Sequence, residues 1–277
     1  MFPISQSIKN GQKFLVFCYY YIKILRRKKW KVLKCMFILV CMVTFTCPTS
    51  FCKTASVCEG ITIETLRKHV PIPPAEIISM RPVHGLCEII LDINGEYTPV
   101  YATKNFVIAG EVFENRTQVT QNKISELKAK QFGKLKSQVE NLVAMSYRPS
   151  KNAQHTIYMF TDPVCPFCGR AESQIKQVAD KFNAELKVIF FPVHIPVGRD
   201  KAIEAICRKL TLEQYLKKDW ERENKTDDYQ CERGKKIVNE SSTLARKLGI
   251  RGVPTFFTGN GKRIVGANMR QLESVLK

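Results

Sequence analysis

Residues 160–182 read FTDPVCPFCGRAESQIKQVADKF. Two cysteines, Cys165 and Cys168, stand where an apolar stretch gives way to a helical pattern. Before them, HTIYMFT (155–161) reads as an apolar strand. After Pro166, residues Ile175, Val178, Ala179 and Phe182 recur at i, i+3, i+4 and i+7, one face of a helix. Cys165 therefore falls at a helix N-terminus. Unsatisfied backbone N–H groups and the positive end of the helix dipole favour a thiolate there over a thiol. Its pKa is expected to drop from about 8.5 toward neutral or lower, giving an accessible nucleophile. Cys168, one turn on, is expected to be shielded and placed to attack a mixed disulfide. Pro166 suits the first helical turn, where its missing N–H costs little. Phe167 adds apolar surface beside the reactive sulfur.

A zinc site is the competing use of such a pair, and it needs four ligands. The chain has no second Cys-x-x-Cys, and its four histidines (His69, His84, His155, His194) are scattered. Neither a metal nor a cofactor is called for. Downstream, the pattern alternates strand and helix: LKVIFFP (186–192), KAIEAICRKL (201–210), KKIVNESSTLARKL (235–248) ended by Gly249, a hairpin of PTFFTG (254–259) and KRIVG (262–266), and a closing helix, MRQLESVLK (269–277). This order predicts a mixed sheet with helices around it.

Upstream, residues 61–120 read as a small β-rich unit. LCEIILDI (86–93) alternates, Asn94-Gly95 is a hairpin signal, and Tyr97, Val100 and Tyr101 fit the return strand. NFVIAGEVF (105–113) adds one or two strands, and IETLRKHV (63–70) a short helix stopped by prolines. So small a sheet has exposed edges and little core, which makes it a candidate dimerisation surface. Residues 121–148 lack proline and are rich in helix formers, with Leu135, Val139, Leu142 and Val143 as an apolar stripe. They predict a linker helix, with Gly133 as its weak point.

The chain has 277 residues and a formal charge of +19. Residues 1–56 hold ten Lys/Arg and no Asp or Glu, so 34 basic and 25 acidic residues remain beyond them. That remainder reads as a lysine-rich solvated surface. Nucleic-acid binding would need a motif or a basic stripe interleaved with aromatics, and neither is present. The leader has the order of a secretory signal: basic RRKKWKVLK (26–34), apolar CMFILVCMVTFTC (35–47), then small and polar PTSFCKTAS (48–56). The apolar run is shorter than the ~20 residues of a spanning helix. A further apolar stretch, FLVFCYYYIKIL (14–25), precedes it, and an uncleaved anchor is the other reading. Export suits a count of eleven cysteines. Beyond the leader six remain: Cys58, Cys87, Cys165, Cys168, Cys207 and Cys231. An even set allows three pairs; whether Cys58 bridges Cys87 is left open.

GIRGVPTFFTGNGKRIVG (249–266) supplies the second clue. Val253-Pro254 stands directly before a strand, where thioredoxin-like proteins carry a cis-proline facing their cysteine pair. With the cysteines, this makes the chain recognisable. It resembles the bacterial periplasmic disulfide isomerases of the DsbC/DsbG family. RPVHGLCEIILDINGEYTPVYATKNFVIAGEVF is similar to that family's dimerisation domain, and FTDPVCPFCGR to the opening of its thioredoxin-like domain. The resemblance implies an α+β chain: a signal (1–56), a dimerisation domain (57–120), a linker helix (121–148) and a thioredoxin-like catalytic domain (149–277). It implies a structural disulfide between Cys207 and Cys231, a homodimer, and reduction by a membrane thiol reductase of the DsbD kind. The implied partners are misfolded disulfide-containing proteins of the periplasm, gripped at Val253, Pro254, Pro166 and Phe167. There are departures. Val253 stands where the family's isomerases usually have threonine and looks more like the oxidant DsbA, and CPFC is nearer the DsbG type. The expected function is isomerisation or reduction of non-native disulfides. The alternatives are a DsbA-like dithiol oxidase and, in another class, a non-catalytic holdase or metal-carrying chaperone.

Overall fold

The strands lie where apolar and β-branched residues run together, and among the described residues they assemble into two larger sheets and one two-stranded hairpin. The computed structural model describes residues 56–222 and 226–277. Residues 1–55, nearly all of the expected signal, lie outside the described residues. Among those described, no helix is long and apolar enough to cross a membrane. They belong to one compact unit, Ala55–Lys277.

The first sheet is antiparallel, with strands β1 (Glu76–Val83), β2 (Leu86–Ile93), β3 (Glu96–Ala102) and β4 (Val107–Ala109) in sequence order. Asn94 and Gly95 turn β2 into β3 with φ of 54° and 83°, the left-handed pair such a hairpin requires. One face packs Ile89, Leu91, Val100 and Ala102 beneath the short helix α1 (Ile63–Arg67), through Ile61 and Leu66. A disulfide joins Cys58 to Cys87 and ties the incoming chain to β2. The other face offers Ile90 and Tyr97 to Ile124 of the next helix. A two-stranded hairpin, β5 (Phe113–Glu114) and β6 (Thr117–Gln118), leads into that helix.

Helix α2 runs from Val119 to Asn141. Its first half meets the first sheet through Ile124; its second half buries Phe132, Leu135 and Val139 against the second sheet. The helix expected to reach 148 thus stops seven residues early. Met145–Tyr147 is instead a strand, β7, paired antiparallel with β9. The reason is tertiary: Ala144 N–H donates to the Val188 carbonyl at 2.8 Å, so the open edge of β9 captures this segment.

The second sheet has the order β11-β10-β8-β9-β7. Its strands are β8 (His155–Thr161), β9 (Ala184–Phe190), β10 (Thr255–Thr258) and β11 (Arg263–Val265) with β7, and only β8 and β9 are parallel. Around it lie α3 (Pro166–Lys181), α4 (Val197–Cys207), α5 (Leu212–Lys217), α6 (Glu232–Lys247) and α7 (Met269–Leu276). Strand β8 alternates: Ile157 and Met159 join the cluster with α3, α4 and α7, while Tyr158 and Phe160 join that of α2 and α6. Both faces are covered, which is why the strands are continuously apolar. A second disulfide, Cys207–Cys231, ties the end of α4 to the start of α6.

Candidate active site

Strand β8 ends at Thr161, four residues before Cys165, and α3 begins one residue after it. Cys165 is the N-cap of α3 in extended backbone, and Pro166 occupies the first turn. The Cys165 N–H donates to the Asp162 carbonyl at 3.1 Å and the Cys165 carbonyl accepts from Gly169 N–H at 3.0 Å. The two thiols are free, whereas the other four cysteines among the described residues are disulfide-bonded. Cys168 is wholly covered, and Cys165 is 6% exposed, less open than the sequence led one to expect. Burial, first of all, pushes the Cys168 thiol up to about 12; the adjoining Cys165 adds to the rise, and hydrogen bonds from Thr161 and the Asp162 backbone oppose it.

The antiparallel register of β10 against β8 pairs Thr255 with Phe160, which carries Val253 and Pro254 alongside the end of β8. The Val253–Pro254 peptide bond is cis. The Cys165 thiol lies 3.9 Å from the Val253 carbonyl, so the structure brings together residues 88 apart in sequence. Phe167 is exposed at 56%, with the Arg170 guanidinium 4.4 Å over its ring. Cys165, Cys168, Pro166, Phe167, Val253 and Pro254 therefore form one locality. Cys207 and Cys231 bond to each other in the flanking helices and form no part of it.

Sequence reading missed the polar groups underneath. Asp162 is fully buried and accepts from Val164 N–H (3.0 Å), Val193 N–H (2.8 Å), His194 N–H (2.9 Å) and the His194 ring Nδ1 (2.8 Å). It thereby fixes the loop before α4 against the cysteine turn. Gly198 is obligatory here, because a Cβ would stand 2.6 Å from Asp162 Oδ1. Glu172 is the second such group. It is buried on the α3 face that carries Cys168, Ala171 and Ile175, a charged residue on an apolar stripe. That mismatch was a readable signal. Its partners Tyr215 and Lys218 gave none, since they arrive from α5 and its end. Among the described residues no group of three or more His, Cys, Asp or Glu is arranged to hold a metal.

Residues 144–277 match the family model described as a thioredoxin-like domain, and they have that mixed α/β fold. No curated protein matches the sequence. Among solved structures, the chain is similar to a linker-deletion variant of ScsC from Proteus mirabilis, at 20% identity and a TM-score of 0.42 over 57% of this chain and 84% of that one. It is similar to the thiol-disulfide exchange protein alpha-DsbA2 of Wolbachia pipientis, at 19% identity and a TM-score of 0.41 over 58% and 100%. It is also similar to Helicobacter pylori DsbG, at 17% identity and a TM-score of 0.37 over 66% and 93%. A thioredoxin-like domain with a free thiol pair at a helix start is chemically equipped for thiol–disulfide exchange.

Proposed function

We propose that the protein is a thiol:disulfide interchange enzyme that isomerises or reduces non-native disulfides in exported proteins. The observation that carries this reading is the free Cys165–Cys168 pair at the N-terminus of α3, beside the Val253 carbonyl. Cys165 as thiolate attacks a substrate disulfide and forms a mixed disulfide. A substrate thiol then displaces it, completing isomerisation, or Cys168 does, completing reduction. The exposed ring of Phe167 with Pro166, and Val253 with Pro254, form the ground on which an extended substrate segment rests. The second disulfide, Cys207–Cys231, closes a 24-residue separation and stabilises the catalytic domain by about 2–4 kcal/mol.

In this reading residues 57–120 form the dimerisation domain and α2 the linker between it and the catalytic domain. Supporting the first role, β4 is an edge strand, and Phe106, Ile108 and Phe113 on and beside it are exposed. The leader sends the protein to the periplasm, where a membrane reductase of the DsbD kind returns the pair to its dithiol form. The test is refolding of a scrambled multi-disulfide protein with wild type and with Cys165→Ser. Recovery of native substrate should be lost in the variant. If a Cys165→Ser, Cys168→Ser protein still rescues the substrate, the chain is a holdase and the proposal fails.

One observation favours a second reading, a dithiol oxidase: Val253, not threonine, lies against Cys165. A reduction potential measured against glutathione separates the two, since an oxidant lies well above an isomerase that must stay reduced.

A further inference from the structure

The tip of the β2–β3 hairpin, Ile93–Glu96, packs on the end of α6. A Cβ on Gly95 would stand 2.5 Å from the Arg246 carbonyl oxygen and 2.8 Å from the Gly249 nitrogen. A Cβ on Gly249 would run into the Gly95 carbonyl in turn. Side chains flank this backbone contact. The Arg251 guanidinium donates to the Ile93 carbonyl at 3.4 Å. The Arg263 guanidinium donates to the Gly249 carbonyl at 2.9 Å and lies 3.6 Å from the Glu96 carboxylate. Ile93, Gly95 and Glu96 thus all bear on Gly249, on Arg251 or on the arginine that holds Gly249. Gly249 ends α6 in the left-handed conformation, with φ of 66°. Only Ile250, Arg251 and Gly252 separate it from Val253, whose carbonyl lies 3.9 Å from the Cys165 thiol. Ile250 is buried in the core, and the Gly252 carbonyl accepts from the Thr255 hydroxyl at 2.7 Å. A segment with glycine at both ends has wide conformational freedom of its own. The hairpin removes part of that freedom from outside, at Gly249 and Arg251.

We propose that the Ile93–Glu96 tip positions the Val253–Pro254 peptide, so that the first sheet sets how well the site at Cys165 holds a polypeptide. The proposal rests on the thiol–disulfide reading above and names the residues that prepare its substrate-holding loop. Gly95, Glu96 and Arg251 are positioning residues: they act through the chain that leads to Val253. The contact is mostly backbone on backbone, and close-packed backbone has no slack to absorb a shift. A loop already fixed in place spares a bound segment the cost of ordering it. That saving is available only to a substrate with a peptide backbone to lay beside Val253. A small disulfide that meets the Cys165 sulfur alone has no use for it. The hairpin therefore favours polypeptide disulfides over small ones without touching either thiol.

The test compares two disulfides in stopped flow, with full-length reduced protein carrying Cys168→Ser so that only capture by Cys165 is read. One is a quenched fluorescent peptide disulfide; the other is dithiodipyridine, which has no peptide backbone. Arg251→Ala removes the donor to the Ile93 carbonyl from an exposed position, so the core is untouched. It should slow capture of the peptide about three- to tenfold, mainly through a raised half-saturation concentration, and leave dithiodipyridine within about twofold. Arg251→Lys keeps a donor and should recover most of the peptide rate. Glu96→Gln, which releases Arg263, should shift the ratio in the same direction as Arg251→Ala. A role in stability alone would lower the thermal midpoint and leave the ratio of the two rates unchanged. A wild-type ratio in Arg251→Ala, whether both rates hold or both fall together, overturns the assignment and leaves the exchange function standing. Absence of capture of either disulfide by the protein with its native hairpin overturns the exchange reading, and this assignment with it.

Discussion

At the scale of single residues, the buried Cys168 thiol makes stability depend on alkaline pH. The folded protein holds the Cys168 thiol up to about 12, chiefly by burial, against an ordinary value near 9. Below that ordinary value both folded and unfolded chains keep the proton, and the fold has its full stability. Above it the unfolded chain releases the proton and the folded one does not, so stability falls as pH rises from about 9 toward 12. The slope is up to ~1.4 kcal/mol per pH unit. Tyr215, buried against Glu172 and raised in the same direction, steepens the fall at its alkaline end. Urea unfolding of reduced protein at several pH values should show wild type losing stability faster than Cys168→Ala; parallel curves would refute the burial argument. The cysteines and Val253-Pro254 were legible in the sequence because their chemistry depends on local spacing and chain position. Asp162 lay in the same stretch but was unreadable, since its partners Val193, His194 and Gly198 are some thirty residues away.

Among the elements, α2 carries the clearest energetic claim. Phe132 is fully buried, stacked on Phe257 at 4.6 Å between centroids and edge-on to Tyr158 at 5.2 Å. Phe132→Ala should cost about 3–5 kcal/mol in denaturant unfolding, because it removes a ring that bridges the helix and both central strands. Its neighbour gives the opposite sign. Gly133 lies in the helix interior with open space where a Cβ would go, so Gly133→Ala should stabilise by up to ~1 kcal/mol. Periodicity found this helix and its apolar second half. It overran the end, because helix propensity in 142–148 carries no trace of the unpaired edge of β9 waiting alongside. The helices α3, α6 and α7 and strands β8 to β11 were placed within a few residues, since each has an apolar face of the right period. The short α5 was not, and with it went the partners of Glu172.

At the scale of the molecule, one carboxylate of the first sheet reaches both the common helix and the second sheet. Glu96 of β3 pairs with Lys128 of α2 and lies 3.6 Å from Arg263 of β11. Burial lowers the pKa of both Lys128 and Arg263, so these cations depend on their one shared carboxylate. Glu96→Ala should cost about 1–2 kcal/mol, less than the loss of a fully buried pair because about a third of Glu96 is exposed. Thermal unfolding would show it as a lowered midpoint. The strand Met145–Tyr147 has a practical corollary for anyone dividing this chain. A piece begun at residue 149, the start that the family resemblance implies for a catalytic domain, would strip β9 of its neighbour. The N–H and C=O groups along Leu186–Val188 would then be free to zip onto another copy. Light scattering should find that shorter piece clumping, while one begun at residue 119 brings its own cover and stays dispersed.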